Sequence, residues 1–577
     1  MLITQLKLEM ESKLKLKYSL VALICMLVST SWAQEDVYVN VSEAIRTISP
    51  SYRIADKPTV VDTVVPIPNI NYPLLSRTMA TEISIDEIEA SKIRIVPKLD
   101  KLYPGYLKMG IGNFANPLGE FYYNSVRDRR TAYGVHINHH SAFRDIPNYS
   151  PSTFDDTEAK VFGEFFTSRY KIESQVNYLN NGYHYYGILD SADVIGGDSL
   201  RNRVEGIGAN FRFSNFEGRD SAKLIYTVHT AYDYFHEFDP QDLNLNAKNT
   251  NFIIGTQMAY KYKAQLYSAE FAVKYNKYKF AVGNPNVLAD FWYNENNTII
   301  QLKPVISSYG RKWKVTYGVD LNFDIVSDEA FKAVPVIEGK YSLFNDMFIP
   351  YAGIGGGVTQ NTFKSLNRFN PFINSELNLV NTRELKFYAG IKGTLSKKLS
   401  FDVQAHSTDF SEMALFINDT TPSIWSNIYQ FDVIYDDVNA LGINGSISYQ
   451  SGEKLKVDLI AAYNRYSAID ELYVWNLPAI DIALRGSYNL YDKIYAKADL
   501  QLLGGRRSPE GLFVTDPVDE DYNLGFVADA NLHLEYRYNK RTSVFLQFNN
   551  LAAQKYFRWN RYPVQGFQVL GGFTYGF

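Results

Sequence analysis

The chain ends in VQGFQVLGGFTYGF, Val564 to Phe577. In an extended backbone successive side chains point to opposite faces. Phe567, Val569, Gly571, Phe573, Tyr575 and Phe577 therefore share one face, which is large and aromatic. Gln568, Leu570, Gly572, Thr574 and Gly576 share the other, which is small or polar apart from Leu570. Termini of soluble proteins usually fray in water. An end this apolar calls for a core or for lipid around it. A sandwich strand and a membrane-barrel strand both satisfy the pattern, so the rest of the chain has to decide.

The same period of two fills the sequence from about Tyr106 onward. In NLGFVADANLHLEYRY, Leu524, Phe526, Ala528, Ala530, Leu532, Leu534, Tyr536 and Tyr538 oppose a face carrying Asp529, Asn531, His533, Glu535 and Arg537. In AKLIYTVHTAYDY the second face carries Lys223, His229 and Asp233. In KLKVDLIAAYN it carries Lys456 and Asp458. Such runs exceed the usual five or six residues of a globular strand. Apolar-out, polar-in segments of about ten residues between turns describe an outer-membrane barrel. Within lipid only a helix or a closed barrel satisfies every backbone group. The expected fold is all-β: one large antiparallel transmembrane β-barrel of about 22 strands. Lys223, His229, Asp233, Lys456, Asp458, Asp529, His533, Glu535 and Arg537 are its candidate lumenal residues.

The connectors alternate as well. RDRR (127–130), SKKL (396–399), SGEK (451–454), YDK (491–493) and YNKR (538–541) are short and charged. The stretches near 143–156, 284–296, 408–427 and 503–521 are longer. Short periplasmic turns and long outer loops fit a barrel.

The other end reads differently. Lys13, Lys15 and Lys17 precede an apolar run from Tyr18 to Val28, and Ser31 and Ala33 flank Trp32 before Gln34. This is the pattern of a cleaved signal peptide over residues 1–33, with Met10 as an alternative start. Cys25, the only cysteine, lies inside it. Disulfides, Cys-metal sites and thiol catalysis are thereby excluded from the mature chain. Removing four Lys and two Glu takes the formal charge from -4 to -6. No basic stripe points to nucleic acid. No later stretch approaches the ~18 apolar residues of a membrane helix. Residues 34–104 are Pro-punctuated and weakly alternating, and read as a periplasmic or lumenal segment before a barrel at 105–577.

The C-terminus resembles that of TonB-dependent receptors. Asn550, Leu551, Lys555, Tyr556, Tyr562, Pro563, Gly566 and Phe577 occupy the family's pattern. The resemblance implies a 22-stranded barrel, with Phe573, Tyr575 and Phe577 as its closure and assembly signal, read by the barrel-assembly machinery. Style of signal and aromatic content resemble Bacteroidota outer-membrane proteins. The 71 residues from 34 to 104 are short for the family's plug and lack its glycine-rich signatures. PTVVDTVVPI, Pro58 to Ile67, is faintly similar to a TonB box but reads first as an ordinary β-prone linker.

Sites of chemistry are sparse. In HINHH, His136 and His140 share a face but stand roughly 13 Å apart along a strand, too far to share a metal, while His139 and His140 point oppositely. No carboxylate pair or Ser/His/Asp order suggests catalysis. GIGGG, Gly353 to Gly357, reads as a strand where curvature needs small residues, with no helix after it. No metal, cofactor or enzymatic role is expected. The expected function is solute uptake or binding across the outer membrane. The alternative is a scaffold or assembly subunit of an outer-membrane complex. Expected partners are outer-membrane lipid, the assembly machinery, and TonB or another envelope protein. A 22-stranded lumen is normally plugged, so the N-terminal segment, inward-folded loops or a partner must fill it.

Overall fold

The computed structural model describes residues 101–149, 151–187, 201–215, 224–238, 247–282, 291–325, 330–418, 430–509 and 523–577. The signal segment, residues 34–100 with the TonB-box-like stretch, and Lys223 lie outside them. The chain divides into one unit of Met1–Val39 with Tyr103–Phe577 and another of Asn40–Leu102. Of the second, only Lys101 and Leu102 are described.

Twenty-two strands form one sheet in which each pairs antiparallel with its sequence neighbours. The first, Gly105–Gly112, pairs with the last, Gln568–Gly576, so the sheet closes into a barrel. Phe577 completes this seam. Its N–H donates to the Gly105 carbonyl and its carbonyl accepts from the Gly105 N–H, both at 3.0 Å. Gly105 is required here because its missing side chain leaves room for the Phe577 ring. The end of the chain is apolar because it is a wall strand. Phe567, Phe573, Tyr575 and Phe577 stand exposed on the outer surface, while Gln568, Leu570 and Thr574 are buried inside.

Among the described residues, two hairpin turns at the end nearest Gly105 are held by their own side chains. Asp128 accepts from the Arg130 N–H at 2.8 Å and from the Thr131 hydroxyl at 2.6 Å. Asn539 holds Arg541 and Thr542 in the same way. These are side-chain-capped turns, and hydrogen bonds to its carboxylate hold Asp128 below its ordinary pKa. At the opposite end two of the expected long loops have other bounds. Strand Leu399–Asn418 runs through half of the stretch expected as a 408–427 loop, and strand Phe291–Tyr309 includes 291–296. Continued ladder pairing, to Asn418↔Phe431 and Phe291↔Val282, extends these strands past their apolar alternation.

The wall changes character at GIGGG. Strand Ile349–Thr359 pairs along its whole length with Thr382–Ser396. With Phe331–Tyr341 it pairs over only four positions, Ile337↔Ile354 to Lys340↔Tyr351. Gly356 has φ +143, open only to glycine, and a Cβ there would meet the Glu384 carbonyl. A Cβ on Gly357 would stand 3.3 Å from Asp320 Oδ2, on strand Trp313–Asp324. That strand is two places away in the wall. The upper half of Ile349–Thr359 therefore leaves the cylinder and crosses inside its neighbours.

A helix does follow, contrary to the sequence reading. Phe363–Phe369 is the only helix among the described residues. Thr362 caps it by accepting from the Ser365 N–H, and Ser365 accepts from the Thr362 N–H in return. This reciprocal capping box satisfies two of the helix's otherwise orphaned donors. Phe363 and Leu366, three residues apart, share a buried face.

Candidate functional site

Residues 360–381 leave the bent strand and cross the mouth of the barrel at the long-loop end. Asn361 fastens the two ends of this loop by donating to the Val380 carbonyl at 2.7 Å and to the Thr382 hydroxyl at 2.9 Å. Phe363 packs on Phe235 and stacks on Tyr278, at ring separations of 5.7 and 5.2 Å. Phe372 meets Tyr183 at 5.9 Å, while Phe369 stacks on Phe416 at 5.1 Å. Tyr183 belongs to the fifth strand, Tyr170–His184, and Phe416 to the fifteenth, Leu399–Asn418. Ten strands apart in a ring of 22 is nearly opposite, so a loop touching both spans the opening.

A second inward segment completes this cap. The hairpin of Phe557–Trp559 and Tyr562–Pro563 sets Tyr562 flat on Phe372, 3.7 Å between centroids, and Trp559 against Phe369 and Phe431. Arg506 holds the hairpin by donating to the carbonyls of Phe557 and Arg558 at 2.9 and 3.1 Å. Burial lowers the pKa of the Arg506 guanidinium. Burial also raises the Tyr185 and Tyr562 phenols well above their ordinary value. The result is one apolar core of strand, loop and hairpin residues.

Polar anchors tie that core to the wall. Lys364 forms an ion pair with Asp233, and its N–H donates to Asn249 Oδ1 at 3.2 Å. Glu237 is fully buried and accepts from Asn202 and from the Ser375 hydroxyl. The Tyr278 hydroxyl donates to the Ser375 carbonyl. The Leu379 N–H donates to Glu295 at 3.1 Å, and Asn381 donates to Asp324 at 2.7 Å. Buried carboxylates are tolerated only with such partners.

The lumen beyond this cap holds a cavity of about 1390 Å³. Its wall carries both signs, including Lys160, Glu173, Arg212, Lys274, Lys303 and Glu384. Gln175 and Gly355 also line it, and the space beside Gly355 is open.

The structure separates the residues singled out from the sequence. Asp233 and His229 share a strand, with Asp233 reaching the loop and His229 lining the cavity. Lys456 and Asp458 pair with each other at 3.3 Å, and Asp458 accepts from Ser448. Glu535 and Arg537 pair at 3.8 Å, His533 stacks on Phe545, and Asp529 accepts from the Tyr556 hydroxyl at 2.7 Å. These are three separate places on the inner wall. In HINHH, His136 stacks on Tyr122 with Glu120 at 3.4 Å, and His139 is hydrogen-bonded to Thr157. Among the described residues no three His, Cys, Asp or Glu are grouped to hold a metal. The loop residues Lys364, Phe372 and Ser375, and their partner Glu237, escaped the sequence reading. The one available signal was Thr362-x-x-Ser365 followed by apolar residues at helical spacing.

No family model and no curated protein matches the sequence. Solved structures do. The ferric-catecholate import receptor Fiu of E. coli K12 superimposes with a TM-score of 0.60 at 12% identity, over 82% of each chain. The two share a fold, the large closed antiparallel β-barrel. The siderophore receptor PirA of Acinetobacter baumannii gives 0.61 at 10% identity over 83% of this chain and 81% of that one. The copper transporter OprC gives 0.57 at 11% over 83% and 81%. At such identities the likeness is one of fold: a closed 22-stranded antiparallel β-barrel.

Proposed function

We propose that the barrel takes up a solute across the outer membrane, with loop 360–381 as the gate of its outer mouth. The observation that carries this reading is the loop itself, which bridges opposite walls above a charged cavity. A wall alone needs no such bridge. The fold shared with receptors and transporters supports the same direction.

The mixed charges along the cavity suit a polar or zwitterionic solute, since a path of one sign would favour one ion. Phe573, Tyr575 and Phe577 are proposed to be read during assembly, and the segment 34–104 to approach the lumen from the periplasmic side. TonB engagement would rest on residues 58–67. Planar-bilayer recordings of the full mature chain test the reading. Full-length protein should be silent. A variant with residues 362–380 replaced by a short Gly-Ser linker and residues 34–100 removed should conduct. Silence of that doubly altered barrel would refute a gated path.

A further inference from the structure

The barrel wall has a place where its ladder stops. Between Phe331–Tyr341 and Ile349–Thr359 the pairing ends at Ile337↔Ile354. Phe331 to Val336 have no ladder partners on that side among the described strands, because the partner strand has turned inward at Gly356. The gap lies towards the outer end, away from the tight turn 342–348. Beside it the rings of Phe331 and Phe323 stand exposed together on the outer surface, 5.0 Å apart.

The sequence fits this edge. The bonds Ser342 N–H to Lys312 and Asp324 N–H to Ala330 show that even-numbered residues of Phe331–Tyr341 bond to strand Trp313–Asp324. Odd-numbered residues point to the gap. Pro335 is one of them, and it has no N–H to leave unsatisfied. On that side no ladder hydrogen bonds close the wall beside Phe331 and Ala333.

The cavity does reach it. Its lining includes Val336 and Ile337 on one edge, and Ile354, Gly356 and Val358 on the other. Ile337 is at the same time exposed on the outer face. These contacts are apolar, whereas the interior behind them is charged, with Lys303, Lys274 and Asp320 close together.

We propose that this seam is a lateral portal through which an amphipathic solute with a long apolar chain passes between the outer leaflet and the lumenal cavity. The apolar edges take the chain and the charged wall takes the polar end. The inference rests on the uptake reading and names its substrate class.

The test uses full mature protein in palmitoyl-oleoyl phosphatidylcholine vesicles. A photo-crosslinking residue replaces Val336 at the seam or Phe162, which lines the cavity on the distant wall. In parallel, Val336→Cys and Phe162→Cys carry a small fluorophore, and spin-labelled stearate in the bilayer is the quencher. The portal predicts lipid adducts and quenching at position 336, at least fivefold above position 162. Equal signals at both positions would mean that lipid enters otherwise, and would overturn the portal. Absence of signal at both would also overturn it. If the gate-altered barrel still conducts, that failure leaves the uptake reading standing.

Discussion

The wall and the mouth of this barrel are built by different physics. The wall is held by backbone ladders, and its side chains need only alternate between the outer surface and the lumen. The mouth is held by side chains brought together from distant segments: Phe363, Phe372, Trp559 and Tyr562, with Glu237 and Lys364 as polar ties. Wall residues are therefore replaceable within their class, and mouth residues are not. Gly356 is the joint, a wall residue whose backbone creates the mouth.

The largest effect should come from that joint. Gly356→Ala puts a Cβ into the Glu384 carbonyl at a φ that L-residues avoid, and should cost several kcal/mol. Gly486→Ala, in a regular strand with its nearest neighbour 3.9 Å away, should be nearly neutral. Folding yield, read as heat-modifiable migration on gels, separates the two. Next comes Phe372→Ala, which removes the ring stacked on Tyr562 and should weaken the cap by about 3–5 kcal/mol. Hydrogen exchange should rise in residues 360–381 and stay unchanged in Thr382–Ser396.

A smaller loss is expected from Glu237→Leu, which strips Asn202 and Ser375 of an acceptor, about 1–3 kcal/mol. The same exchange measurement reports it. Alkaline pH should act on the mouth too. The folded cap raises the Tyr185 and Tyr562 phenols, so their contribution is complete below the ordinary phenol pKa of about 10. It is lost as pH climbs towards the raised values. Loop exchange should accelerate above about pH 10, and less so in Tyr562→Phe. Lys364→Met should be the mildest, under about 1 kcal/mol, because its ion pair with Asp233 is partly exposed.

The wall was legible in the sequence because alternation is local. Phe573, Tyr575 and Phe577 announce their face without any knowledge of Gly105. The mouth was not legible, because Phe372 and Tyr562 are 190 residues apart and nothing in either segment names the other. Asp233 was singled out from the sequence, but its partner Lys364 lies on a helix too short to show a clear period. GIGGG was seen as a place for small residues. Its consequence, a strand leaving the wall, depends on the φ of Gly356, which composition does not encode.

Labelling from outside the cell tests the central claim most directly. Cys25 is the only cysteine of the sequence, so with Cys25 replaced by serine Gln175→Cys places a single thiol in the cavity. A membrane-impermeant maleimide should leave it unmodified in the intact barrel and modify it rapidly once residues 362–380 are replaced by a Gly-Ser linker. Phe143→Cys, exposed on an outer connector, should react in both. Equal labelling of Gln175→Cys with and without the loop would contradict a closed mouth.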